Sequence, residues 1–196
     1  MKKLIRIGLL SAALLATVVA NASNKLNVKV ASKASKILSI SLEEVTSGET
    51  ILIKDINGEI LFSEELEAAH KYNKVFSLST LPAGLYFIED NEEGKIQSTP
   101  ILVTKDAVSL VEDAAKTYIA PDITINDNVM SVLINNDNHT DVSISVYNEA
   151  GTLLNKSNHN TNTIVLGSFD ISKLTYKTLT VSVTEGDYNF TKEIEL

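Results

Sequence analysis

Apolar and polar residues alternate along much of this chain. Leu38, Ile40 and Leu42 alternate with Ser39 and Ser41, and Ile51 and Ile53 continue the period of two. That period turns one side of an extended segment toward a core and the other toward water, so it predicts β-strands. Asp55-Ile56-Asn57-Gly58 interrupts the pattern with turn chemistry, because Asn-Gly tolerates positive φ. Ile60 to Phe62 then returns as the partner strand. Further strands are expected at Leu26 to Val30, Lys74 to Leu78, Leu85 to Glu89 and Ile96 to Thr104. A second series is expected at Ile123 to Ile125, Met130 to Ile134, Val142 to Tyr147, Thr152 to Leu154, Thr163 to Leu166, Leu179 to Val183 and Tyr188 to Leu196. Two segments depart from the pattern and lean helical by propensity: Glu64 to Lys71, and VEDAAKT within Thr104 to Tyr118, the second read as a linker that could carry one last strand at Ala107 to Val111.

The two series are related. Ile51-Leu-Ile-Lys-Asp-Ile-Asn-Gly58 aligns with Ile144-Ser-Val-Tyr-Asn-Glu-Ala-Gly151 at an offset of 93 residues. The same offset aligns Phe76-Ser-Leu-Ser79 with Phe169-Asp-Ile-Ser172, and Ile101 with Ile194. Several stretches in one register point to a repeated module. Seven short strands per module predict an all-β chain of two tandem immunoglobulin- or fibronectin-like sandwiches. The expected organisation is a leader at 1–22, module one at 23–104, a linker at 105–116 and module two at 117–196.

Phe76-Ser-Leu-Ser-Thr-Leu-Pro82-Ala-Gly84-Leu-Tyr86-Phe-Ile88, behind the Asp55 to Ile60 hairpin, carries a resemblance. It resembles the C-terminal sorting domain of type IX secretion cargo, a small β-sandwich with a D-x-x-G hairpin, an L-s-x-L-x-x-G-x-Y segment and a final strand. The resemblance is best over residues 51–103 and fainter over 144–196. It implies a sandwich fold and, for that family, a secretion address. In module two Lys177 stands where the glycine would be and Leu179 where the tyrosine would be. On their own chemistry these residues read structurally. Gly84 permits a tight entry into a strand, Pro82 fixes φ at the corner, and the Tyr86 hydroxyl suits a bond to nearby backbone, as in a tyrosine corner.

The N-terminus changes the picture of where the chain goes. Lys2, Lys3 and Arg6 precede an uncharged apolar run from Ile7 to Val19, and Ala20-Asn21-Ala22 forms a small-x-small site before Ser23. These are the three parts of a secretory signal, so cleavage after Ala22 is expected. The apolar run is short for a bilayer span, which takes about 20 residues. With no cysteine in the chain, neither a disulfide nor a lipid-modified cysteine is available. A periplasmic, cell-surface or extracellular location is expected.

Composition narrows the partners. The net charge is −8, and removing the three leader cations leaves −11; Arg6 is the only arginine. A phosphate backbone or an anionic lipid surface calls for clustered Lys and Arg, so nucleic acid and anionic lipid are set aside. No segment after the leader is long and apolar enough to cross a bilayer, so no stable membrane insertion is expected. The expected partner is another protein or an envelope component, with a glycan as a further candidate.

No residue is assigned a catalytic, cofactor-binding or metal-binding role. Gly167-Ser168 is not a G-x-S-x-G elbow. His70, His139 and His159 make no H-x-x-x-H pair and are expected in loops. His139 with Asp137 and Asp141 could hold a hard cation weakly, but a solvated loop explains them. The chain is expected to be an exported, non-catalytic structural or interaction module. Its alternatives are a type IX cargo with a C-terminal sorting module and a small-ligand or glycan binder using loops near 135–141 and 155–162.

Overall fold

The computed structural model describes residues 26–196; the expected leader and cleavage site lie outside the described residues. The fold is all-β. Its first seven strands are β1 (Asn27–Ser32), β2 (Ile37–Val45), β3 (Thr50–Asp55), β4 (Ile60–Glu65), β5 (Ala69–Ser77), β6 (Gly84–Glu92) and β7 (Lys95–Val103). They form one sheet in the order β1-β2-β5 and another containing β4-β3-β6-β7. The inward side chains of both sheets meet in a single core that includes Leu38, Ile40, Ile51, Ile88 and Ile101. This is the sheet pairing of a fibronectin-like sandwich, and it follows from the period-two alternation, which gives each strand one apolar side.

The seven strands after residue 121 repeat the arrangement. They are β10 (Asp122–Asn126), β11 (Val129–Asn135), β12 (Val142–Asn148), β13 (Leu153–His159), β14 (Ile164–Asp170), β15 (Thr178–Glu185) and β16 (Tyr188–Glu195). The sheet orders are β10-β11-β14 and β13-β12-β15-β16. A second core, with Met130, Val132, Ile144, Val181 and Val183, lies between them.

The segment between the two sets behaves differently from a free linker. Residues 105–116 carry β8 (Val108–Leu110) and one 3-10 turn at Glu112–Ala114, and β9 (Lys116–Ile119) follows. Both strands pair with β7, β8 along Ile101 to Val103 and β9 along Lys95 to Ser98. Pro100 explains the interruption. Its carbonyl accepts from the Val111 N–H at 2.9 Å on this edge, and proline has no N–H to offer beside it. The chain steps over that missing donor with the 3-10 turn.

The helical leaning of Glu64 to Lys71 is overturned. Glu64 and Glu65 end β4, and Ala69 to Lys71 begin β5. Between them Leu66 is buried in the first core, and its backbone bonds Glu49 and Gly48. Burying one leucine and pairing two strands outweighs the few tenths of a kcal/mol per residue that propensity offers. VEDAAKT forms only the single 3-10 turn, for the same reason of edge pairing.

Candidate functional sites

The family-like segment forms a corner. The Tyr86 ring is buried in the first core, and its hydroxyl donates to the Pro82 carbonyl at 3.0 Å. Gly84 has no positive φ; a Cβ there would rest 3.6 Å from the Tyr86 ring, which is ordinary contact. The tight strand entry expected at Gly84 therefore needs no left-handed backbone angle, and a Cβ fits there beside the ring. The hairpins are built alike. Asp55 Oδ1 accepts from the N–H groups of Asn57 and Glu59, and Asn148 Oδ1 accepts from those of Ala150 and Thr152. Gly58 and Gly151 take φ of +82° and +75° at the turns. The backbone bond from Glu59, first among several, holds the Asp55 carboxyl below its usual range. Asp55 is thus a hairpin cap.

A second cluster lies where the two sandwiches touch. Glu89, 3 % exposed, projects from β6 and pairs with Lys54 on β3. Its other oxygen accepts from the Tyr188 hydroxyl of β16. The Tyr188 ring packs on Tyr118 of β9 with centroids 4.1 Å apart. Burial, then the bond to Glu89, pushes the Tyr188 hydroxyl above its ordinary range, and burial with nearby carboxylates pushes Tyr118 to about 12. Asn138 adds a bond from its amide to the Thr117 carbonyl at 2.6 Å and another to Glu185. Apart from Glu185 Oε2, which is buried with no hydrogen-bond partner, these groups bond one another, so the cluster reads as a clamp. A groove of about 580 Å³ beside it is walled by Phe87, Pro100, Lys116 and Asp187, among others.

The third site is a polar cleft of about 630 Å³ at one end of the second sandwich. The loop after β11 and residues 160–163 after β13 meet there. Both were expected as candidate loops, although Asn155 to His159 belongs to β13 itself. Asn136 ties the loops together: fully buried, it donates to the carbonyls of Thr140 and Asn162 at 2.7 and 2.9 Å. Sequence reasoning passed over this residue; its signal was an Asn-Asn-Asp run at a strand end. His139 lines the cleft with Asp141, His159 and Asp187, while Asp137 is not among the walls. The contact of His139 Nδ1 with the Thr161 carbonyl at 3.1 Å requires the proton on that nitrogen. His70 lies in β5, and His159 ends β13, so two of the three histidines are in strands. Among the described residues no group of three or more His, Cys, Asp or Glu side chains is placed to hold a metal. Gly167 and Ser168 lie within β14.

A buried acid pair completes the inventory. Asp90 and Glu49 are each 1 % exposed, at the end of the first sandwich. Glu49 accepts from the Thr46 N–H at 2.8 Å, and Gln97 donates to Asp90 at 3.2 Å. Burial first, then the bond and charge of Glu49, push the Asp90 carboxyl up to about 8.

The class these features define is an all-β chain of two fibronectin-like sandwiches. Residues 22–104, the whole first sandwich, match the sequence model of the secretion system C-terminal sorting domain. No curated protein matches the chain. Among solved structures, the chain is similar to the BSP domain of a biofilm associated protein, at 13% identity and TM-score 0.29, over 84% of this chain and 28% of that one. It is also similar to native alpha-2-macroglobulin from Escherichia coli spanning domains MG0-NIE-MG1, at 11% identity and TM-score 0.27, over 88% and 64%. The central fibronectin-III array of RIM-binding protein matches at 10% identity and TM-score 0.28, over 88% and 96%. The chain thus spans less than two thirds of the first two.

Proposed function

We propose that the chain is an exported, non-catalytic module with a structural or protein-interaction role at the bacterial envelope or exterior. The observation that carries this reading is the match of residues 22–104 to a sorting domain. That match begins at the expected cleavage site, so the first sandwich would follow the leader directly. In this reading the sandwiches at 23–104 and 117–196 are tandem copies, with 105–116 laid along the edge of the first. The tyrosine corner, the capped hairpins and the clamp give the residues most suggestive of function a packing role instead.

A second reading is that the chain is a type IX cargo whose sandwich serves as the address, and the same match favours it. The address would reside in the first sandwich, since the second has Lys177 and Leu179 at the glycine and tyrosine positions. A small-ligand or glycan role is favoured by the cleft where the loops of the second sandwich meet.

The test is to express the tagged full-length chain in a host with a type IX system and in the same host with that system disabled. Fractionation and surface proteolysis report its location. The structural reading expects a leaderless chain with the same distribution in both strains. Surface or released chain that is lost in the disabled strain would replace it with the address reading. A reporter fused between the leader and residues 117–196 is expected to stay in the periplasm.

A further inference from the structure

The outer faces of the two three-stranded sheets differ. In the second sandwich, β10, β11 and β14 turn Ile123, Val132 and Val165 toward the core, and their alternate residues outward. The pairing aligns Asp122, Leu133 and Leu166 across the three strands, with Ile164 next along β14. Leu166 is 59% exposed, Ile164 63% and Leu133 39%. Scattered apolar residues on a surface are normal, but Leu133 and Leu166 are cross-strand partners and Ile164 lies two residues along β14, so the three neighbour one another on one face. The same face carries Asp122 and Asp170 and no lysine.

The corresponding face of the first sandwich is polar and carries two lysines and one acid. Lys29, Ser39 and Val75 are aligned across β1, β2 and β5, and Lys71 lies opposite Glu43. The equivalents of Ile164 and Leu166 at the 93-residue offset are Lys71 and Asn73. Val75, 65% exposed, is an apolar point between two lysines.

We propose that copies of this chain associate head to tail, the outer face of the β10-β11-β14 sheet of one copy docking on the outer face of the β1-β2-β5 sheet of the next. Charge complementarity selects this pairing. Two second-sandwich faces would bring Asp122 and Asp170 against their own kind, and two first-sandwich faces would leave the leucine patch in water. The mixed pairing sets Asp122 and Asp170 against a face where Lys29 and Lys71 outnumber Glu43, and covers Leu133, Ile164 and Leu166 with Val75 and its neighbours. Flat sheet faces stack at about 10 Å with near-aligned strands, so the geometry is an ordinary sheet-on-sheet contact. Because the two surfaces differ, the contact is heterologous and generates a ring or an open filament.

This inference deepens the interaction role proposed above and rests on it. Its test uses the purified mature chain in solution, so its failure leaves the export reading standing. Sedimentation of the wild-type chain is expected to show a concentration-dependent series that passes beyond the dimer. Leu166→Asp breaks one face and Val75→Asp the other, and each variant alone is expected to be monomeric. Mixed in equal amounts, they are expected to form a heterodimer and nothing larger, because each keeps one intact face. Unchanged melting and circular dichroism establish that the variants fold; Leu166→Ser and Lys71→Glu replace any that do not. A wild-type chain that stays monomeric at every concentration overturns the proposal. So does a Val75→Asp chain that still dimerises alone, since that would pair two second-sandwich faces.

Discussion

At the scale of single residues, the corner was the most legible feature. A tyrosine two positions after a glycine, behind a proline, announces its bond to backbone because all the partners are local: Tyr86 reaches only to Pro82. The buried acids were not legible. Glu49 and Asp90 sit 41 positions apart, and only the pairing of β3 with β6 makes them neighbours. Their pH effect has a definite sign. Unfolded, Asp90 ionises near 3.8; folded, it keeps its proton to about 8. Between those values the folded state binds the extra proton, so stability falls as pH rises, and the slope vanishes above the folded value. Urea midpoints are expected to decline from about pH 4 toward about pH 8 in the wild type and to flatten in Asp90→Asn. An equal decline in the variant would assign the slope to other groups.

At the scale of elements, alternation located the strands well where a strand has one buried side, as in β2, β11 and β12. It failed at Glu64 to Lys71, where the local sequence favours a helix and a distant sheet edge decides otherwise. The tight approach of β14 to β12 is another tertiary effect. A Cβ on Gly167 would lie 2.8 Å from Ile144 Cδ1 and 3.1 Å from the Phe169 ring. Gly167→Ala is therefore expected to cost about 1 to 3 kcal/mol as these side chains are forced aside. Ser168, which points outward, is expected to accept alanine with almost no change. Denaturant unfolding of both variants checks this; a neutral Gly167→Ala would mean that the strand shifts freely.

At the scale of the whole molecule, the relation between the sandwiches rests on a few contacts far apart in sequence. Tyr188 and Glu89 are separated by 99 positions. Removing the hydroxyl leaves a buried carboxylate with one bond fewer, so Tyr188→Phe is expected to cost about 1.5 to 3 kcal/mol. It should also broaden the distance distribution between spin labels placed one on each sandwich. An unchanged distribution would show that other contacts set the orientation. Local sequence alone accounts for the all-β class, the two sets of seven strands, the hairpin turns and the tyrosine corner. Each of these depends on side-chain periodicity or on bonds within about five residues, which neighbours in the chain carry directly. Contacts made in the folded chain set the rest: residues 105–119 cover the β7 edge, Leu66 draws its segment out of a helix, two carboxylates share one buried site, and the clamp joins the sandwiches. Those outcomes depend on which surfaces meet after collapse, and burial and edge pairing between distant strands then outweigh local preference.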